Sequence, residues 1–232
     1  MRVSVPHAWP SGREEAEAVQ DRLRPLVRVE ADGSPAPPLR LIAGLDVAYA
    51  KDDDRLAAAV VVLDADTLAV VESVSAVGRA AFPYIPGLFA FRELPTLVTA
   101  LERLTTDPDL LVCDGQGIAH PRRFGLACHL GVLTDLPAIG IAKQSLVGEY
   151  AEPERPRGSW TPVRDGGEVV GRAVRTQTGV KPVFVSVGHR MSLDAATALA
   201  LRLSPDYRLP ETTRRSDRLS RQVLAAHLAQ QA

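Results

Sequence analysis

The segment Leu110 to Lys143, LLVCDGQGIAHPRRFGLACHLGVLTDLPAIGIAK, constrains the fold more than any other part of the chain. Its apolar start, Leu110 to Cys113, is short enough for a buried strand and ends on Asp114, directly before the turn Gly115-Gln116-Gly117. His120 and the basic pair Arg122 and Arg123 follow. Phe124, Leu126, Ala127, Leu130, Val132 and Leu133 then recur at helical spacing, and a second apolar run, Ala138 to Ala142, ends on Lys143. This pattern predicts a strand-helix-strand unit with functional groups at both strand tips.

A chain of 232 residues with 46% hydrophobic content can bury one substantial core, and a single domain over residues 1–232 is expected. The net charge of -1 does not announce a nucleic-acid binder, although a local basic face is all that such binding needs. Cys113 and Cys128 have no metal-ligand spacing and read as small core residues in a reducing compartment. The longest apolar run, Leu56 to Leu63, falls far short of the ~18 residues of a membrane span. With Pro6 and Pro10 near its start, the chain also lacks the basic-then-apolar pattern of a signal peptide. A soluble, cytoplasmic protein without membrane contact is the expectation.

In chain order, residues Gly12 to Val27 read as a surface helix with Ser11 as N-cap and Glu14 closing a capping box, ending near Pro25. A loop over Asp32 to Pro38 leads to Leu39 to Ala50, where Asp46 follows the apolar run Leu41 to Leu45. The charged loop Lys51 to Arg55 precedes two further strand-like runs, Leu56 to Leu63 and Leu68 to Val77. Together they predict a three-stranded antiparallel meander. Phe82 to Leu94 holds Pro83, Pro86 and Gly87, which exclude a regular element, and Pro95 suits the first turn of a following helix, with Glu93 just before it. Glu149 to Gly158 reads as a polar, proline-rich loop. Val169 to Thr176 and Val183 to Val187 read as strands, and Ser192 to Leu203 and Glu211 to Leu228 as helices.

Neighbouring strands would bring Asp46 and Asp114 together, and two carboxylates that close repel unless a cation lies between them, which suits Mg²⁺ or Mn²⁺. Position alone leaves the alternatives open: a turn residue and a strand cap for these two, a helix-dipole partner for Glu93, half of a surface ion pair for Asp217, and a structural loop residue for His120.

Taken together, IAGLDVAYA, FPYIPGLFAFRE, LLVCDGQGIAHPRRFGLACHLGV, IGIAK and RLPETTRRSDRLS resemble the signature blocks of the endonuclease V family, in its order and roughly its spacing from Leu41 to Arg221. The resemblance implies a ribonuclease H-like fold: an α/β mixed sheet with the antiparallel meander extended by parallel strands and flanked by helices. It also implies dependence on Mg²⁺, with Mn²⁺ able to substitute, and a role in DNA repair. The expected reaction hydrolyses the second phosphodiester 3′ to deoxyinosine, leaving 3′-hydroxyl and 5′-phosphate ends. Asp46, Glu93, Asp114 and Asp217 match the family's acidic set, with Asp46 and Asp114 as metal ligands. Lys143 matches its phosphate-contacting lysine, and His120 its histidine near the metals. The chain has only three lysines among 27 basic residues, so a lysine at a strand tip is itself unusual. Phe89-Ala90 stands where the family commonly shows leucine and serine, and Gln144-Ser145 extends the loop after Lys143.

Hypoxanthine lacks the amino groups of adenine and guanine, so a tight pocket can exclude guanine by its N2 group and adenine by its hydrogen-bond pattern. Gly115 and Gly117 would let main-chain amides approach a flipped base, with Leu126 and Leu146 as apolar walls. The loop Pro83, Tyr84, Ile85, Pro86 would act as a wedge, Tyr84 filling the vacated stack. Arg122, Arg123 and Lys143 would meet the nucleic-acid backbone. The expected partner is inosine-containing DNA bound by a monomer. An inosine-specific ribonuclease and a non-catalytic inosine-binding module are the rival readings, and a junction resolvase would leave the PYIPG loop unexplained. The 2′-hydroxyl contacts that separate DNA from RNA are not encoded in a motif.

Overall fold

A computed structural model of the protein describes residues 1–34, 37–51 and 53–230. The loops expected at Asp32 to Pro38 and Lys51 to Arg55 therefore fall partly outside the described residues, at Pro35, Ala36 and Asp52. Three strands, β1 (Leu41–Tyr49), β2 (Arg55–Asp64) and β3 (Val70–Arg79), form the antiparallel meander read from the sequence. The strands β4 (Leu110–Cys113) and β5 (Ala138–Ala142) continue the sheet in parallel, joined by the helix α3 (Leu126–Thr134). A second antiparallel unit completes it, made of β6 (Trp160–Asp165), β7 (Glu168–Val174) and β8 (Val183–His189). The eight strands lie in one sheet in the order β3-β2-β1-β4-β5-β8-β7-β6.

Side chains alternate across a strand, and this alternation sorts the core into two layers. Ala43, Leu45, Leu111 and Cys113 face one layer with α1 (Arg13–Leu23), α2 (Ala90–Glu102) and α3. Ile42, Leu110, Val112, Ile139 and Ile141 face the other, where α4 (Leu193–Arg202) packs. The helix α5 (Glu211–Ala229) lies against β1 and β2, close enough that a Cβ on Gly44 would sit 2.5 Å from the Thr212 carbonyl oxygen. Asp46 shares the parity of Ile42 and Gly44, so its carboxylate points toward α5 while Leu45 points toward α2. Among the described residues no helix is long and apolar enough to cross a membrane.

Three local expectations change. The N-cap of α1 is Gly12, and the Ser11 N–H and hydroxyl both donate to Glu15 Oε2, at 2.8 and 3.0 Å, so the reach-back comes from the glutamate one residue later than Glu14. The helix α2 starts at Ala90, so Glu93 lies in its first turn and Pro95 lies inside it. Short-range bonds from Phe91 N–H to Leu88 O and from Arg92 N–H to Phe89 O start the helix ahead of the proline. The strand β6 was not foreseen: its sequence WTPVRD carries Pro162 and three polar residues, and it is the last strand of the sheet, paired along its length with β7 and on its outer side by an isolated bridge from Arg164 to Glu149, an edge position that tolerates proline.

Candidate active site

Burial of carboxylates without full neutralisation marks the centre of the molecule. Glu93 is buried in the first turn of α2, and its carboxyl is pushed up to about 8 by burial and then by the neighbouring charges of Asp46 and Asp114. Burial pushes Asp46 up to about 7, with Asp114 and Asp217 adding repulsion, against a lowering hydrogen bond from Ser220. That bond runs from Ser220 Oγ to Asp46 Oδ2 at 2.8 Å. Tyr49 donates its hydroxyl to Glu93 Oε1 at 3.3 Å. Strands β1 and β4, helix α2 and helix α5 thus bring the four acids expected from the sequence into one mutually repelling group.

Two cations are tied into the group. Lys143 Nζ lies 2.6 Å from Asp114 Oδ2, and although burial works against its charge, Asp114, Asp46 and Asp217 together raise its pKa. Arg221 holds Asp217 Oδ1 at 3.0 Å, one helical turn along α5. Among the described residues no three His, Cys, Asp or Glu side chains form a ready-made metal cage. The donor set nevertheless suits a divalent cation, because carboxylates this inclined to keep their protons are those that an added positive charge would ionise. Asp46 and Asp114, each directly after the last paired residue of the neighbouring parallel strands β1 and β4, are the residues that could hold such an ion.

Beside the acids lies a cavity of about 370 Å³. Tyr84, Pro86, Phe89, Gly115, Gln116, Leu126 and Leu146 line it, and Glu93, Asp114 and His120 also reach it. Tyr84 is 72% exposed and meets Phe89 edge to face at 5.8 Å, as expected of a residue that leaves the protein surface to contact something else. Phe89 and Ala90, the positions that depart from the family's usual leucine and serine, both line this cavity. Gln116 was passed over in the sequence although it sits inside the Gly-Gln-Gly turn. Its Nε2 donates to the Gln144 carbonyl at 2.9 Å, which leaves its buried Oε1 as an acceptor without a partner. Ser220 and Tyr49 were missed as well, yet each had a signal: Ser220 lies three residues after Asp217 on a helix, and Tyr49 three after Asp46.

Other expected site residues have structural duties here. Gly117 does not line the cavity; its N–H donates to Ser186 Oγ at 2.7 Å, and a Cβ there would lie 1.9 Å from the Val187 carbonyl oxygen. Ile85 packs against the core, and Pro83 is exposed outside the cavity wall. Arg122 is bound to Asp21 at 2.6 Å, and Arg123 to Asp165 at 2.8 Å and Glu168 at 3.0 Å, so neither offers an uncompensated charge to a backbone phosphate. His120 is buried, and burial lowers its pKa to about 4. Its Nδ1 accepts from the Arg122 N–H at 3.2 Å, which assigns the proton to Nε2 on the side of the Gly87 carbonyl. The neutral imidazole thereby ties the proline-rich loop to the loop after Gly117.

A mixed sheet in this order, with acids gathered at its two central parallel strands and at flanking helices, defines a nuclease of the ribonuclease H-like class. The Endonuclease V family model matches residues 22–218. Endonuclease V of Streptomyces coelicolor is 58% identical over 224 residues, which cover 97% of this chain and 96% of the relative. The crystal structure of Endonuclease V from Streptomyces avermitilis superposes with a TM-score of 0.91 at 55% identity, covering 98% of this chain and 100% of the other. Endonuclease V of Ciona intestinalis, solved in complex with a 23mer DNA containing an inosine followed by a ribo-adenosine, has a TM-score of 0.80 at 27% identity, over 92% of this chain and 97% of that one. The chain belongs to the endonuclease V family.

Proposed function

We propose that this endonuclease recognises deoxyinosine in DNA and, with Mg²⁺, hydrolyses the second phosphodiester bond 3′ to it, leaving 3′-hydroxyl and 5′-phosphate ends. One observation carries the reading: the cavity and the acidic group share Glu93 and Asp114, so a base held in the cavity has its own strand beside the carboxylates. The inosine-containing DNA in the Ciona complex supports the choice of base. A single sheet running through the chain supports one domain over residues 1–232, which we take to act as a monomer.

Hypoxanthine presents an N1–H donor where adenine presents a bare acceptor nitrogen. Gln116 lines the cavity and its buried Oε1 has no partner, so a turn of its side chain would offer the cavity an acceptor that favours the donor, because an acceptor facing an acceptor leaves both unsatisfied. Guanine shares the N1–H, and its extra N2 group must be kept out by the tightness of the pocket. Tyr84, exposed on its proline-stiffened loop, fills the stack that the flipped base leaves.

Asp46 and Asp114 would hold the ion, Mg²⁺ or in its place Mn²⁺, which when bound supplies an activated water and offsets charge on the phosphate. Ser220 fixes the Asp46 carboxylate through Oδ2, and Tyr49 fixes Glu93 through Oε1. Lys143, held on Asp114, would turn its ammonium to the position where negative charge builds on the phosphate. His120, neutral and buried, holds the cavity's two loops in place without exchanging a proton.

Matched DNA and RNA oligonucleotides carrying one inosine, or adenosine at the same place, test the reading when products are mapped with Mg²⁺ and with chelator. Cleavage directly after the 3′ neighbour of inosine, lost with adenosine or chelator, is expected. Equal cutting of adenosine substrates would overturn the assignment of the base, and faster cutting of RNA would make the protein a ribonuclease.

A further inference from the structure

Two cavities meet at the Lys143–Asp114 pair. Asp114 and Leu146 line the base cavity, whereas Lys143, Gln144 and Ser145 line a second one of about 610 Å³, so the loop after β5 is the ridge between them. Lys181, Arg208, Tyr150 and Phe184 wall this second cavity. With Lys143 and Lys181, it holds two of the chain's three lysines.

Its charge is differently arranged from that of the arginines around it. Arg122, Arg123, Arg172 and Arg175 are each held by a carboxylate. Arg208 instead spends its donors on main-chain carbonyls, Nε on Lys181 at 2.9 Å and Nη2 on Lys143 at 2.8 Å and Pro182 at 2.9 Å. One guanidinium thus clamps the backbones of both lysines and keeps its full charge. Lys181 is exposed and has no ion-pair partner among the described residues. The acid in the wall, Glu152, is held by Arg175 at 2.7 Å. Tyr150 packs against Phe184 with ring centroids 4.9 Å apart and remains 40% exposed, a supported aromatic surface beside the cations.

We infer that this groove receives the strand on the 3′ side of the scissile phosphate. Lys181 and Arg208 take successive backbone phosphates, and Tyr150 offers a stacking surface to a base, the combination by which single-stranded nucleic acid is held without regard to sequence. The inference rests on the proposed base cavity, which sets the direction: a base beside Leu146 with its 3′ phosphates at Asp114 and Lys143 leads the strand across the ridge. The cavity on the other flank of the acids, between the end of β1 and α5, is the competing path. Its Arg221 is held by Asp217, which also lines it, and Lys51 is its remaining cation.

The test compares single-stranded inosine oligonucleotides with identical 5′ flanks, ending either one nucleotide past the scissile bond or roughly eight past it, within the span of single-strand grooves. Binding is read by anisotropy in Ca²⁺ over a salt series. Wild-type protein is expected to bind the long form more tightly. Lys181→Ala should shrink that long-to-short ratio and lower the log-log salt slope on the long form by about 0.7, while Lys181→Arg should preserve both. Tyr150→Ala should shrink the ratio about fivefold or more, the lower end of base-aromatic stacking. A wild-type ratio of one, or a ratio unchanged in both alanine variants, would overturn the groove. Equal binding of adenosine and inosine forms would instead overturn the base cavity, and the length dependence would still be read separately.

Discussion

The Lys143 ammonium and the Asp114 carboxylate meet at 2.6 Å across the tips of two adjacent parallel strands, with the lysine side chain 45% exposed and the aspartate 14%. A flexible cation thus guards a mostly buried acid, and on the proposed function it leaves that acid for a phosphate. Lys143→Ala is expected to slow cleavage and to reduce the salt slope of DNA binding by about 0.7 to 0.9, the change for one phosphate contact. Rate and slope measured together decide it: if neither moves, Lys143 serves Asp114 alone.

Asp46→Asn should abolish cleavage while sparing inosine binding, because Asp46, unlike Glu93 and Asp114, does not line the base cavity. It should also stabilise the metal-free protein at alkaline pH. Between about pH 4 and the raised values near 7 for Asp46 and 8 for Glu93, the folded chain keeps protons that the unfolded chain has released. Stability therefore falls as pH rises through that window. Below about pH 6.5 the buried His120 and His129, whose pKa values are lowered to about 4 and about 3, oppose this trend, so in chelator the wild-type Tm should drop from about pH 6.5 to about pH 8, and the variant's should drop less, by roughly 2 to 4 °C per kcal/mol relieved. An equal drop in both proteins would remove Asp46 from the account.

Tyr84→Ala should weaken binding to inosine-containing duplex by roughly 1 to 3 kcal/mol, the range for base-aromatic stacking. At 72% exposure the residue supports little core, so denaturant unfolding should hardly change. The loss should be smaller in single-stranded DNA, where less stacking is disrupted. Weakening that is uniform across substrates and comes with a large stability loss would make Tyr84 a structural aromatic.

Arg122→Ala and Arg123→Ala should leave the salt slope of binding unchanged, since both side chains are already held by acids. Their effect should appear in stability: Arg122 joins its loop to α1, and Arg123 joins it to the turn between β6 and β7. A slope reduced by about 0.7 to 0.9 in either variant would return that arginine to the nucleic-acid interface.

The meander and the strand-helix-strand unit were legible because alternation and short apolar runs report strands buried on one or both faces. Edge strand β6, with a proline and little alternation, carries no such signal. Asp46, Glu93, Asp114, Asp217 and Lys143 could be named from their motifs, and the structure gathers them. The duties of Arg122, Arg123 and Gly117 could not, because they depend on Asp21, Asp165 and Val187, which lie far away in sequence. A basic pair beside a histidine reads the same in one dimension whether it faces DNA or a neighbouring acid. Pro95 misplaced the start of α2 for a similar reason, since tertiary packing of Phe91 and Leu94 outweighs the hydrogen bond that the proline removes.

The seating of α5 on Gly44 bears on how a cell survives making such a protein. Chains emerge from the ribosome in order and fold largely from their first residues onward. Asp46, Glu93 and Asp114 are all synthesised long before Ser220 and Asp217, which ride on the last helix to appear. A chain that ends before α5 lacks the hydroxyl that steadies Asp46 and the fourth acid beside it. The group of four acids is complete only when translation has passed Asp217 and α5 has found its glycine, so a stalled or truncated product carries three of them without the fourth.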